Sequence, residues 1–268
     1  MSTSINSLLS KIAGDCFIKH KSDERNRINK SIDFLIQNLE EEFGDDIDDI
    51  KIFGSFSRDT ILPRRIDELS DVDVLIIFNH HKLGVKPDTY RKYLHDFADD
   101  YYPNSTFYKD RPSVVLELQR IKYDLVPAYE SSGMLSSDSL YIPTDGNDWM
   151  STDPHRFSEE LTEKNSNNKS FIKPLIRLLK AWNAKSSYPV ASFDLEQRVV
   201  STTFWDDSLE SGFFRVINNL DSYRDSSFTS EKIRSLQANA VRVKDALDDD
   251  NLSTAEKWLE HILPLDKI

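Results

Sequence analysis

Gly54-Ser55-Phe56-Ser57-Arg58, followed by Ser70-Asp71-Val72-Asp73-Val74-Leu75-Ile76-Ile77, decides how this chain is read. The first part is a small-residue turn that opens a short helix. The second is a strand with two carboxylates near its start. Side chains alternate across a strand, so Asp71 and Asp73 point to the same face. At ~4 Å and an effective dielectric of ~20, two such charges repel by about 4 kcal/mol. A strand that tolerates this offers the pair to a cation, and hard oxygen ligands suit Mg²⁺. The Gly54-Ser55 turn presents backbone N–H groups to phosphate oxygens. Phosphate cradle and metal-binding carboxylates together point to phosphoryl or nucleotidyl transfer.

A third carboxylate completes a two-metal site. Asp124, in Ile121-Lys-Tyr-Asp-Leu-Val-Pro-Ala128, is the candidate, because it lies on a predicted strand with Tyr123 and Leu125 on the opposite face. With that strand beside Asp71–Phe78, the three carboxylates hold two Mg²⁺ ions, with Mn²⁺ the alternative. Asp124 serves as general base or as metal ligand, and the sequence leaves both open. Alone, each motif has an ordinary structural explanation. The conjunction carries the reading.

Around this centre the chain divides in two. Apolar spacing predicts helices over residues 4–20 and 23–43, with Ile28, Ile32, Leu35, Ile36 and Leu39 forming the stripe of the second. Strands are expected at 49–53, 71–78, 106–109, 113–118 and 121–126, and a helix at 87–102 with Pro87 near its start. The acidic run Asp45–Asp49 reads as a solvated turn. Residues 128–153 read as loop-rich. From His155 onward the pattern is helical, over 155–163, 169–185, 193–200, 205–220, 230–246 and 253–263, the last with a Ser253-Thr-Ala-Glu256 capping box. The expected fold class is α+β. Residues 1–130 form a mixed-sheet catalytic lobe, whose N-terminal helices can pack on the second lobe, and residues 131–268 form a helical lobe.

The 268 residues suffice for a large core, with 38% hydrophobic and 30% charged side chains. A formal net charge of −12 argues against a broad nucleic-acid-binding surface. Cys16 is the single cysteine, which excludes an internal disulfide or cysteine-based metal site and suits a reducing cytosol. No signal-peptide pattern or membrane-length apolar run is seen, so a cytoplasmic location is expected. The C-terminal Leu263–Ile268 reads as a frayed end.

Taken together, Gly54-Ser55-Phe56-Ser57-Arg58-x-Thr60, Asp71-x-Asp73 and Asp124-Leu-Val-Pro-Ala128 resemble the nucleotidyltransferase core of the polymerase β superfamily. Within it, the Val-Pro-Ala after the third aspartate resembles the bacterial cGAS/DncV-like enzymes, the CD-NTases. Lys173-Pro-Leu-Ile-Arg-Leu-Leu-Lys180-Ala-Trp182 and Ser192-Phe193-Asp-Leu-Glu196 resemble two helical segments of that family. The resemblance spans residues 50–258. It implies a two-lobed polymerase-β-like nucleotidyltransferase with a cleft between the lobes.

The implied activity joins ribonucleoside triphosphates, ATP among them, into a cyclic di- or trinucleotide second messenger for bacterial anti-phage (CBASS) signalling. The implied partners are a downstream cyclic-nucleotide effector and regulatory proteins. Residue by residue, Asp71, Asp73 and Asp124 bind metal, Gly54 and Ser55 bind phosphate, Lys180 and Ser192 contact the β and γ phosphates, and Phe193 stacks on a base. Trp149 is read as packing between the lobes. The sequence departs from the family pattern at Asp59, where glycine is common, at Asp194, where histidine is common, and in the long 62–69 insert. The competing readings are a nucleotidyltransferase that modifies tRNA or protein, and a catalytically dead nucleotide-binding module.

Overall fold

The computed structural model describes residues 4–110, 112–131, 139–221 and 226–268. In chain order its elements are α1 (Ile5–Asp15), α2 (Asp23–Phe43), β1 (Ile47–Phe53), α3 (Gly54–Ser57), β2 (Val72–Phe78), α4 (His80–Leu83), α5 (Pro87–Tyr101), β3 (Thr106–Asp110), β4 (Ser113–Glu117), β5 (Lys122–Ser131), β6 (Ser139–Pro143), β7 (Trp149–Thr152), α6 (Pro154–Asn167), α7 (Ile172–Lys185), α8 (Ser192–Ser201), α9 (Leu209–Asn219), α10 (Ser227–Asp248) and α11 (Leu252–Ile262). Two compact units emerge. One combines Lys19–Arg58 with Leu69–Ser158, and the other combines Met1–Ile18, Asp59–Glu68 and Glu159–Ile268.

The first unit is built on a mixed sheet of order β1-β2-β5-β4-β3. β2 runs antiparallel to β1 and parallel to β5. A strand flanked on both sides with both faces covered should be nearly all apolar, and Val74 to Phe78 are at most 2% exposed. Leu75 and Ile77 pack with Val126 and Ala128 of β5, against Phe53, Leu140 and Ile142. On the alternate positions, Phe78 meets Phe43 of α2 and Tyr90 of α5, at ring-centroid distances of 5.3 and 4.6 Å. Each large apolar side chain buried this way contributes about 1.5–3 kcal/mol relative to exposure.

The sequence pattern predicts that the sheet ends near residue 126, with loop after it. Instead β5 continues to Ser131 and pairs with β6, which pairs with β7. Residues 132–138 of that expected loop lie outside the described residues. The sheet extension is anchored by Arg91 of α5, which is 1% exposed. Its guanidinium donates to the carbonyls of Pro112, Thr144 and Gly146 and to Asp88 Oδ1. Trp149 packs within this unit, edge-on to Tyr90 and Tyr129. The cut placed at residue 130 differs from these units, because the sheet unit runs on to Ser158 while α1 and the 59–68 segment join the C-terminal helices.

The second unit surrounds α7. This helix buries residues on every side, from Ile172 and Leu175 through Leu179 to Trp182, as expected of a central helix. α1, α8 and α9 pack against it. Burial obliges its polar side chains to find partners. Asn183 does so by exchanging two hydrogen bonds with the backbone of Val190. The last helix begins at Leu252 with Asn251 as its cap, accepting from the Thr254 N–H, in place of the Ser253 box. Leu263 is fully buried and Leu265 and Ile268 pack on the same core, so the expected frayed end is an ordered segment. Cys16 is also in this core, and burial pushes its thiol up to about 12. Among the described residues, no helix is long and apolar enough to cross a membrane.

Candidate active site

The sheet unit brings the sequence-predicted carboxylates onto neighbouring strands. Asp73 of β2 is the register partner of Asp124 of β5, and Val72 is that of Tyr123. Asp71 lies one residue ahead of β2. Strand alternation sends Tyr123 to the other side, where it is fully buried and its hydroxyl donates to Ser31 Oγ at 2.7 Å. Asp71 and Asp124 remain partly accessible, with side chains 27% and 22% exposed.

Gly54 ends β1's run into α3 directly against Asp73. A Cβ on Gly54 would lie 1.7 Å from Asp73 Oδ2 and 2.5 Å from its Cγ. Its φ of +68° is in the left-handed region that favours glycine. Two independent constraints therefore require glycine here, and the sequence reading found the residue but assigned it only to the phosphate turn. Ser55 follows it, half-buried.

The sequence reading missed Lys122. It stands two residues before Asp124 on β5, hence on the same face. Its ammonium is 3.1 Å from Asp71 Oδ2 and 3.7 Å from Asp124 Oδ1, with the side chain only 12% exposed. Burial by itself lowers the Lys122 pKa. The Coulomb attraction of Asp124 and Asp71, with the hydrogen bond to Asp71, outweighs burial and raises it. The i−2 spacing from a candidate metal ligand was the signal available in the sequence.

The family resemblance implies a divalent metal. As they stand, no three Asp, Glu, His or Cys side chains among the described residues form a group ready to hold an ion. The donor chemistry nevertheless fits. Three carboxylates are hard oxygen ligands suited to Mg²⁺ or Mn²⁺, and a positive charge already stands between two of them in the form of the Lys122 ammonium.

The other predicted site residues belong to the helical unit. Lys180 of α7 is 6% exposed, and its ammonium lies 3.3 Å from Glu196 Oε1. Glu196, 1% exposed, also accepts from Thr60 Oγ1 at 2.7 Å. The glutamate of the Ser192–Glu196 segment thus ties α8 to α7 and to the 59–68 segment. Removing one partner of a buried ion pair leaves the other charge stranded, at a cost of about 3–5 kcal/mol. Glu196→Ala is therefore expected to destabilise the protein by about that amount, measured as a lowered urea midpoint. A midpoint within error of the parent protein's would show that the pair is held by solvent. Ser192 is the first residue of α8, whose N-cap is Ala191. Phe193 is 45% exposed, so it is a surface aromatic and not core.

Asp59, which the sequence reading singled out as replacing a glycine, has φ +62°. This is the left-handed region that favours glycine and that aspartate tolerates better than most residues. Its carbonyl accepts from Arg177 Nη1 at 2.9 Å, and its carboxylate lies 3.6 Å from the Lys173 ammonium. Arg177 also donates from Nε to the Ala13 carbonyl and stacks over Phe17. Its burial lowers its pKa to about 10.

The chain is similar to known proteins in sequence and in fold. The family model described as "Second Messenger Oligonucleotide or Dinucleotide Synthetase domain" matches residues 3–165, more than half of the chain. A probable cyclic nucleotide synthase of Bacillus cereus (strain VD146) is 26% identical over 181 residues, 55% of this chain. The chain spans about half the length of that curated relative, at 54%. Among solved structures, the Elizabethkingia meningoseptica CdnE cyclic dinucleotide synthase with GTP and Apcpp superposes with a TM-score of 0.64 at 16% identity, covering 87% of this chain and 97% of that one. E. coli MS115-1 CdnC with ATP gives 0.68 at 13% identity, covering 96% of each chain. CdnC is also solved in complex with HORMA-deltaN. The chain belongs to the family of Second Messenger Oligonucleotide or Dinucleotide Synthetase domains and has the polymerase-β-like fold of the bacterial CD-NTases.

Proposed function

We propose that this protein is a Mg²⁺-dependent nucleotidyltransferase that joins ribonucleoside triphosphates into a cyclic di- or trinucleotide second messenger. The observation that carries the reading is the register pair Asp73–Asp124, set beside a Gly54 that leaves no room for a side chain, within a chain of this family.

In this reading Asp71, Asp73 and Asp124 hold the divalent ion, which when bound acidifies a ribose hydroxyl and polarises the phosphate under attack. Gly54 keeps the space that Asp73 occupies. Ser55 binds a phosphate oxygen through its hydroxyl. Asp124 either completes the metal ligands or accepts the hydroxyl proton. An ammonium has three N–H donors, so Lys180 can keep Glu196 and still donate to a β or γ phosphate, to which Ser192 is assigned as well. Phe193 offers its exposed face to a base. The GTP, Apcpp and ATP bound to the Elizabethkingia and E. coli proteins support triphosphates as substrates. The HORMA complex of CdnC supports a regulatory protein partner. The same reading carries a role in anti-phage signalling through a cyclic-nucleotide effector, in the cytoplasm, where the lone buried Cys16 stays reduced.

The test is incubation of the purified protein with Mg²⁺ and labelled triphosphate mixtures. A phosphatase-resistant product is expected. Transfer of label to added tRNA or to protein, with no resistant product, would replace this reading with a nucleotidyltransferase of macromolecular acceptors.

A further inference from the structure

We propose that Lys122 is a built-in counter-cation of the metal site, a positioning residue that holds Asp71 and Asp124 in the metal-free enzyme and competes with the divalent ion for them. The inference rests on the metal reading of the three aspartates given above.

The geometry sets Lys122 apart from a surface lysine. Its ammonium reaches two of the proposed ligands at once, 3.1 Å from Asp71 and 3.7 Å from Asp124, and its side chain is only 12% exposed. β5 places it there by register. The pairs Val72–Tyr123 and Asp73–Asp124 make Asp71 and Lys122 the next positions along the same parallel ladder. An ion pair at a free surface gains little, because both partners are solvated. Here the partners are carboxylates that would otherwise repel each other across neighbouring strands.

A divalent ion taking oxygens from Asp71 and Asp124 must enter where this ammonium stands, since Nζ is hydrogen-bonded to Asp71 Oδ2 at 3.1 Å and forms an ion pair, too long for a hydrogen bond, with Asp124 Oδ1 at 3.7 Å. Two cations cannot share those oxygens without mutual repulsion. Lys122 must therefore swing away as the metal binds. Metal affinity of the nucleotide-free enzyme is then weaker than the carboxylates alone would give. The ammonium in turn preserves the spacing of the strands' carboxylates until a metal arrives.

The test is Mn²⁺ binding to the nucleotide-free protein, measured by calorimetry or by loss of the free-ion electron paramagnetic resonance signal. Lys122→Met is expected to tighten Mn²⁺ binding about tenfold or more, and to lower the melting temperature without metal while enlarging the rise that Mn²⁺ produces. Lys122→Arg, which keeps the charge, is expected to bind Mn²⁺ as the parent protein does. Unchanged or weaker Mn²⁺ binding by Lys122→Met overturns the proposal. If the variant folds only with Mn²⁺ present, the metal has replaced the ammonium and the proposal stands. If neither Lys122→Met nor Lys122→Gln folds with Mn²⁺, Lys122 is a structural residue and the proposal fails. Failure of the underlying metal reading looks different: Mn²⁺ binding would be insensitive to Asp73→Ala in the parent protein.

Discussion

Asp73→Ala is expected to lower turnover by about 10³-fold or more, the equivalent of the ~4 kcal/mol that a correctly held divalent ion contributes to a phosphoryl-transfer transition state. The expectation follows from position. Asp73 is in register with Asp124 across a parallel strand pair and is the carboxylate against which Gly54 closes. Its removal takes away an oxygen donor without emptying the core, since the apolar residues of β2 from Val74 to Phe78 pack independently of it. The melting temperature should therefore change little, or rise slightly as carboxylate repulsion is relieved. Turnover is read as pyrophosphate released in the presence of Mg²⁺ and triphosphates, with circular dichroism as the check on folding. Turnover equal to the parent protein's, in a folded variant, would refute the assignment of Asp73 to the metal.

Gly54→Ala is expected to be nearly as damaging, by a different route. A methyl group at 1.7 Å from Asp73 Oδ2 cannot coexist with that carboxylate in place. Either Asp73 rotates out of the site or the β1–α3 junction shifts. The φ of +68° adds a conformational cost of about 1–2 kcal/mol for any L side chain. The expected result is a turnover loss of about 10²-fold, with a melting temperature lowered by several degrees, roughly 2–4 °C per kcal/mol. Gly84→Ala separates the two causes. Gly84 has φ +57°, but an added Cβ would meet nothing closer than the His80 carbonyl at 3.7 Å. That variant should lose stability alone and keep its turnover. Equal turnover losses in both variants would show that the Asp73 contact is not what makes Gly54 necessary.

Much of the fold was legible because its signals are local. The continuous apolar run of β2, the stripe of α2 and the helical spacing after residue 155 each report burial of a particular face, and the structure has those elements within a few residues. The misses are also physical. β6 and β7 are short, and burial of their residues is only partial. Pairing with β5, not their own composition, makes them strands. The expected cap of the last helix at Ser253 lost to Asn251, whose side chain caps it two residues earlier. Trp149 was read by analogy as a residue between lobes, whereas its neighbours are the aromatic side chains His80, Tyr90 and Tyr129 of its own unit.

The candidate site divides along the same line. Residue type and spacing alone singled out Asp71, Asp73 and Asp124 as the candidate carboxylates, and strand alternation, a property of the backbone, put Asp71 and Asp73 on one face. Their carboxylate chemistry already gave a metal reading, and family likeness then narrowed the expected reaction to cyclic-nucleotide synthesis. What only the tertiary structure decided is who stands beside them. The register of β2 against β5 sets Lys122 between Asp71 and Asp124, and the approach of the β1–α3 junction sets Gly54 against Asp73. In the helical unit, packing around α7 joins Lys180, Glu196 and Thr60 across 136 residues of sequence. Local spacing encodes the direction of a side chain. Its neighbours depend on register and packing, and those are settled only when distant segments meet.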